Sequence, residues 1–600
     1  MRIGSRTSGF IRFAILLAAG FVAARANATI RYAISVAHPE QRMFHVTMTV
    51  PNVGQELVVA MPAWNATYDI RDFAFRVTQV TATDGANAVA LHVVKLNKQT
   101  WRIAAAEENS KANLGDVTIQ YEDYWDDVGP FSSQLNARHA YMNLAEVLFY
   151  VPARRAEESI VQYADLPANW HIAQELPAAQ SQQSFVAASY DALVDAPVEI
   201  GTFREFQIDA GSAHLRVVVD GGGWNQSDLG DTVRKIVAYE TGMMRDIPFR
   251  EYMFIFHFGP YGEMGGGGME HSNCTAIAVP SSDVVADVAA HEFFHLWNVK
   301  RIRPQTLQPV DYTKEMWTKA LWFAEGVTST YASFTMVRTG LWNHEQFYTD
   351  LAQQFTQLEA RPAHKWQSAE ESSLDTWLDI YDYYNRPEVS ISYYNKGQIL
   401  GVMLDLAIRD ATDNHKSLDD VLRGMDADYA HQGRFYDDSA GVEQEVEKVT
   451  GRSFKDFFAK YVAGTDEIPY ADFLKIAGLE VQTQERDFGD LGFETTRARD
   501  GTVQVSAVSA GSGAEHAGLR AGDTLLQLDG RPFPRSAMRW LFQHAPGETV
   551  KVRVERNGNQ LEVSLPLGKQ TMQSYSISEM SGATSRQKRI RAGLLSGTTD

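Results

Sequence analysis

Cysteine is all but missing. Cys274 is the only one among 600 residues, so no intrachain disulfide can form and stability must come from core packing and any bound metal. Long apolar runs are missing too. The run FAILLAAGFVAA at 13–24 falls short of the roughly 20 residues a bilayer span needs, and no later stretch is long and apolar enough. Basic charge is scarce: 55 Lys and Arg against 75 Asp and Glu leave a net charge of −20. Arg2, Arg6, Arg12 and Arg25 are the only charged residues before Thr29, so a chain starting there carries −24. Nucleic-acid binding needs a basic face, and this balance excludes it. The acid excess favours solubility.

The basic start, the short apolar run and Ala26-Asn27-Ala28 together read as a signal peptide over 1–28, with a small-x-small cleavage site, rather than a membrane anchor. Export without disulfides points to a bacterial periplasm. From Thr29 to 201 short segments alternate apolar and polar residues, as in MFHVTMTVP (43–51) and VTIQYEDYW (117–125), which predicts a β-sandwich-like domain with no constellation suggesting chemistry. Residues 202–476 begin with mixed strand and helix patterns. They continue with apolar positions at helical spacing over 281–300, 313–339 and 391–411. Short strands return over 477–568. The polar tail 569–600, with RQKRIR at 586–591, is expected to be disordered. The fold class is thus multidomain α+β.

Residues 291–295 read His-Glu-Phe-Phe-His within a helical pattern. Positions i and i+4 share a helix face, so His291 and His295 can bind one zinc ion. Glu292 lies about 100° further round. From there it can take a proton from an attacking water and return it to the leaving amine. A catalytic zinc needs a third ligand. Glu325, the one acid in LWFAEGV, would be costly to bury unpaired. It is either that ligand, a partly exposed glutamate or a partner for Lys319. Tyr393 and Tyr394 open a further helix, where Tyr394 offers a hydroxyl to a developing oxyanion or simply packs.

The stretches Gly267-Gly268-Met269-Glu270, His291–His295, Trp322-Phe323-Ala324-Glu325-Gly326 and Tyr394-Asn395-Lys396-Gly397 together resemble the glutamate-zincin aminopeptidases related to aminopeptidase N. His271 stands where that family has Asn, and the gap from HExxH to Glu325 is longer. Both departures, and the stretches GGMEH and HEFFHLWNVKRIRP, are similar to the PDZ-bearing glycyl aminopeptidases. The resemblance spans nearly the whole chain. It implies a thermolysin-like zinc peptidase domain, one Zn2+ on His291, His295 and Glu325, and a preference for N-terminal glycine, with alanine next. SGAEHAGLRAGDTLLQLDGRP (512–532) resembles bacterial PDZ domains. GDLGF (489–493) resembles their carboxylate-binding loop, which would place Leu491, Gly492 and Phe493 against a peptide C-terminus. The alternative is a PDZ domain that only packs.

In that setting the glycines from Gly265 to Gly268 form an edge strand that lets a substrate backbone come close. Met269 and His271 shape the pocket, and Glu270 accepts a hydrogen bond from the substrate's free α-amine. The expected activity is a zinc aminopeptidase acting on peptides with a free N-terminus. The competing expectations are a periplasmic zinc endoprotease and a PDZ-led peptide-binding protein with an inactive catalytic domain. A stable membrane anchor is not expected.

Overall fold

The computed structural model describes residues 29–65, 67–85, 87–106, 112–259, 266–497, 501–534 and 537–600. The signal-peptide expectation over 1–28 and Gly265 lie outside them. No helix among the described residues is long and apolar enough to cross a membrane.

The N-terminal region is β-rich. Its main sheet runs in the order Ser184–Ala187, Ser159–Ala164, Ile30–Ser35, Met43–Val53, Gly115–Tyr124, Val77–Asp84. Met43–Val53 buries every second residue as far as Val50, which is why its sequence alternates there. A three-stranded and a four-stranded sheet complete the domain around its own apolar core.

The middle region opens with a five-stranded sheet. Its strands are β1 (Arg204–Ala210), β2 (Ala213–Gly221), β3 (Tyr252–Phe258), β4 (Gly267–Glu270) and β5 (Cys274–Val279), in the order β1-β2-β3-β5-β4. β3 lies between two parallel neighbours and is buried along its whole length, so its sequence is a continuous apolar run. β4 closes the sheet as an antiparallel edge. Over the sheet and beyond it lie α1 (Gln226–Met244), α2 (Val285–Phe294), α3 (Thr328–Arg338), α4 (His344–Glu359), α5 (Tyr393–Ala411) and α6 (Leu418–Asp428). The helical periodicity over 313–339 resolves into a π-helical turn, Trp322–Val327, running into α3. Helix α2 ends at Phe294, with His295 as its C-cap.

A buried ion pair joins the two regions. Glu199 accepts from His139 Nδ1 (2.8 Å) and from His257 Nε2 of β3 (3.0 Å). Gln134 donates through Nε2 to Asp126 (3.3 Å), which turns its Oε1 toward His139 Nε2 (3.1 Å). A carboxamide oxygen only accepts, so both His139 nitrogens donate and the imidazole is cationic. Burial opposes that charge, but Glu199 outweighs it and raises the imidazole above its ordinary value.

The third region has a separate core and a sheet whose outermost strand is β7 (Phe493–Arg497). It hangs from a two-stranded ribbon, β6 (Leu479–Asp490) paired along its full length with β8 (Gly568–Glu579). The tail departs from the sequence expectation of disorder over 569–600. Residues 568–579 form β8, and Ser585–Ser596 form a capped helix, α7. The polar composition concealed Ile590 and Leu594, one turn apart and fully buried in the core of the middle region. The basic run meets acids: Arg586 pairs with Asp410 and Asp413, and Arg591 with Glu579. Leu594→Ala is expected to lower stability by about 3 kcal/mol and Leu594→Met by under about 1.5 kcal/mol, read by urea unfolding. Equal, near-zero costs would show that α7 does not belong to the core.

Candidate active site

Helix α2 sets His291 and His295 one turn apart, with their Nε2 atoms 3.0 Å from each other. The π turn brings Glu325 Oε2 to 3.5 Å from His291 Nε2 and 3.2 Å from His295 Nε2. His295 Nδ1 lies 2.7 Å from the carbonyl of Asn298. A carbonyl can only accept, so Nδ1 carries a proton and Nε2 is the nitrogen turned toward Glu325. Asn298 in turn donates to the Phe323 carbonyl and to Thr328 Oγ1 (2.8 and 3.1 Å). This locks the end of α2 to the π turn. Ser329 Oγ lies 3.3 Å from His291 Nδ1.

Two glycines explain why Glu325 reaches this point. A Cβ on Gly326 would sit 2.5 Å from Gly397 Cα, and one on Gly397 would strike the Trp322 carbonyl oxygen. The π turn and α5 therefore meet backbone to backbone, and α5 carries Tyr393 and Tyr394. Tyr393 is held by Thr376 Oγ1 (3.1 Å). Tyr394 stacks on it at 4.7 Å between ring centroids and lies 6.2 Å from the His291 ring.

Edge strand β4 lies across α2. A Cβ on Gly268 would collide with Glu292 Cγ, so glycine here gives room to this chain's own Glu292. The sequence reading assigned that room to substrate. Gly267, at φ +142°, lines an adjoining cavity, while Gly268, Met269 and Glu270 line the main cleft of about 420 Å³. Glu270 is buried, with a carboxylate oxygen within 4.8 Å of ligand atoms of Glu292 and His295. His271 is absent from the cleft wall. Its Nδ1 lies 3.4 Å from Asp195, which also binds Lys300 at 2.7 Å. His271 thus lines a second cavity that shares Tyr68, Met269 and Glu270 with the first.

The electrostatics are dominated by acids crowded in a buried space. Burial, then Glu270 and Glu325, hold the Glu292 carboxyl well above its usual range, although His295 pulls the other way. Its Oε2 is buried without a hydrogen-bond partner among the described residues. Burial opposes charge on His295, yet Glu325, Glu270 and Glu292 raise it to about 10. Burial likewise opposes charge on Glu325, but His295 and His291 hold it well below the carboxylate range. Such a set wants a cation. His291, His295 and Glu325 form one group that could hold it.

The sequence reading saw no chemistry in the N-terminal region, but Tyr68, Asp69, Arg71 and Phe131 from that region wall the cleft. Tyr68 is buried at φ +54° and packs with Trp64 and Trp377. The only local signal was the polar-aromatic loop NATYDIRDF between strands. In the third region Leu491 and Phe493 are buried in the local core. The Gly492 N–H donates to Asp490 Oδ1 (3.1 Å), so a peptide carboxylate would compete with this chain's own.

A zinc-peptidase-like HExxH pair beside a buried glutamate, on this sheet-and-helix frame, defines a peptidase with a PDZ domain. The profile of M61 glycyl aminopeptidases matches residues 284–400, that of the peptidase M61 N-terminal domain 31–202, and that of PDZ domains 489–567. The chain thus carries an M61 glycyl aminopeptidase domain, an M61 N-terminal domain and a PDZ domain. In fold it is similar to an aminopeptidase N family protein from Idiomarina loihiensis (TM-score 0.81, 24% identity, 94% of this chain and 100% of that one). A distant likeness is to a mutant of an M1 zinc metallopeptidase from Deinococcus radiodurans (TM-score 0.45, 14% identity, 74% and 95%). No curated protein matches the chain.

Gly268→Ala is expected to displace Glu292 and to lower peptidase activity about a hundredfold or more, while far-UV circular dichroism stays unchanged. Full activity would show that Glu292 tolerates the displacement and needs no glycine opposite it.

Proposed function

We propose that the chain is a zinc aminopeptidase that releases an N-terminal glycine, or secondarily alanine, from peptides. The observation that carries this is the buried Glu270, set on the edge strand within reach of Glu292 and His295. Two imidazoles and a carboxylate, 3.0 to 3.5 Å apart, suit a tetrahedral zinc, whose ligands about 2.0–2.1 Å from the metal stand about 3.3 Å from each other. His291, His295 and Glu325 would hold it. Bound there, zinc supplies a Lewis acid that polarises the scissile carbonyl and acidifies water.

The chain's own residues do the rest. Glu270 accepts a charge-assisted hydrogen bond from the substrate's α-ammonium, which fixes the scissile bond one residue from the N-terminus. Glu292 takes a proton from the attacking water and delivers it to the leaving amine. The unpartnered Oε2 of Glu292 suits that task. Tyr394 donates its hydroxyl proton as a hydrogen bond to the developing oxyanion. Asn298 keeps His295 in one tautomer. The β4 strand offers main-chain groups to an extended peptide. Support for glycine comes from the family description.

The test compares a glycine anilide, its N-acetylated twin and a leucine anilide, with and without chelator. Cleavage of the free glycine substrate alone, lost with chelator and restored by zinc, is the expected result. Equal cleavage of the acetylated twin would instead make the enzyme an endoprotease. Glu270→Gln is expected to raise KM for the free-amine substrate with a smaller change in kcat. Tyr394→Phe should lower kcat about a hundredfold with KM little changed. A pure KM effect of Tyr394→Phe would remove it from the transition state.

A further inference from the structure

Away from the cleft, three side chains from separate elements converge. Asp246 follows α1, Asp426 sits on α6, and His431 lies in the turn after it. His431 Nε2 is 3.4 Å from Asp426 Oδ2 and 3.7 Å from Asp246 Oδ1. All three offer ligand atoms within 4.8 Å of one another. Asp426 is only 4% exposed, and its Oδ1 is buried with no hydrogen-bond partner among the described residues. A buried carboxylate facing a second one is costly unless a proton or a cation is shared between them. Burial, then Asp246, accordingly raises the Asp426 carboxyl.

The neighbouring cation relieves this only through space and makes no hydrogen bond to either acid. Arg301 acts on both acids through space, but its guanidinium donates to the carbonyls of Leu296, Ser272 and Pro248 and to Asn273 Oδ1. The indole N–H of Trp297 donates to Asp246 Oδ2 (3.2 Å). This orients that carboxylate as an outer partner orients a metal ligand.

We propose that Asp246, Asp426 and His431 form a second divalent-cation site, suited by its one imidazole and two carboxylates to Zn2+. The spacings of 3.4 and 3.7 Å are close to the roughly 3.3 Å between ligands of a tetrahedral zinc, with solvent in the fourth position. The ion would clasp the end of α1 to α6. Through Asp246 and Trp297 it would also brace the segment just after His295. This is a structural site, since it lies outside the cleft and borders no substrate cavity described above.

Zinc content and calorimetric titration of the full chain with Zn2+ alone test the proposal. His431 is 54% exposed, so His431→Ala should fold normally. It is expected to bind one equivalent fewer than wild type and to lose the zinc-dependent rise in Tm that the second equivalent gives. Asp426→Asn, with its fold checked by near-UV circular dichroism, should lose the same equivalent. The readout is the difference between chains, so it is independent of how the cleft itself is loaded. If either folded variant keeps the wild-type count, the acids share a proton instead and the site does not exist.

Discussion

The site depends on one close approach of two backbones. Gly326 in the π turn and Gly397 in α5 touch with no side chain between them. That contact lets the turn carrying Glu325 and the helix carrying Tyr394 converge on the histidines of α2. A methyl group at either position would force the two elements apart. The added π residue has a matching role, because a widened turn is one way to swing a side chain out of the regular helical register. Everything at the centre of the cleft is placed relative to that seam.

The second constraint is charge. Glu270, Glu292 and Glu325 share a space that also holds two imidazoles, and the acids perturb one another strongly. Functional sites are where such mutual perturbation is concentrated. Asn298 and Ser329 fix the ring nitrogens that face away from the centre, so the crowding produces a defined geometry.

Much of this was legible from local spacing. The i, i+4 histidines, the lone acid in LWFAEGV and the glycine-flanked Glu270 each carried their signal within a few residues, and the structure brings them together. What escaped is nonlocal. Tyr68, Asp69 and Arg71 reach the cleft from some 200 residues upstream in the chain, through a loop whose composition is ordinary. The glycines were read as room for substrate, whereas Gly268 makes room for Glu292. The tail was read as disordered because its charge and Ser/Thr content outweigh its few scattered apolar residues, Ile590, Leu594 and Leu595 among them. Only the acids it meets, Asp410 and Asp413 among them, make that basic run a docked helix.

The ribbon of β6 and β8 also determines how the PDZ domain belongs to the chain. Both of its connections leave and re-enter at the same place, and the returning strand leads on to α7, whose Ile590 and Leu594 lie in the catalytic core. In topology the PDZ domain is therefore an insertion into the peptidase rather than an appendage after it. A cut before Leu479 would strip the peptidase of its own last helix along with the PDZ domain. Excising residues 491–567 and joining the ribbon ends by a short turn would keep that helix in place. Acquisition or loss of the module by this fold therefore calls for two breaks in the gene, not one.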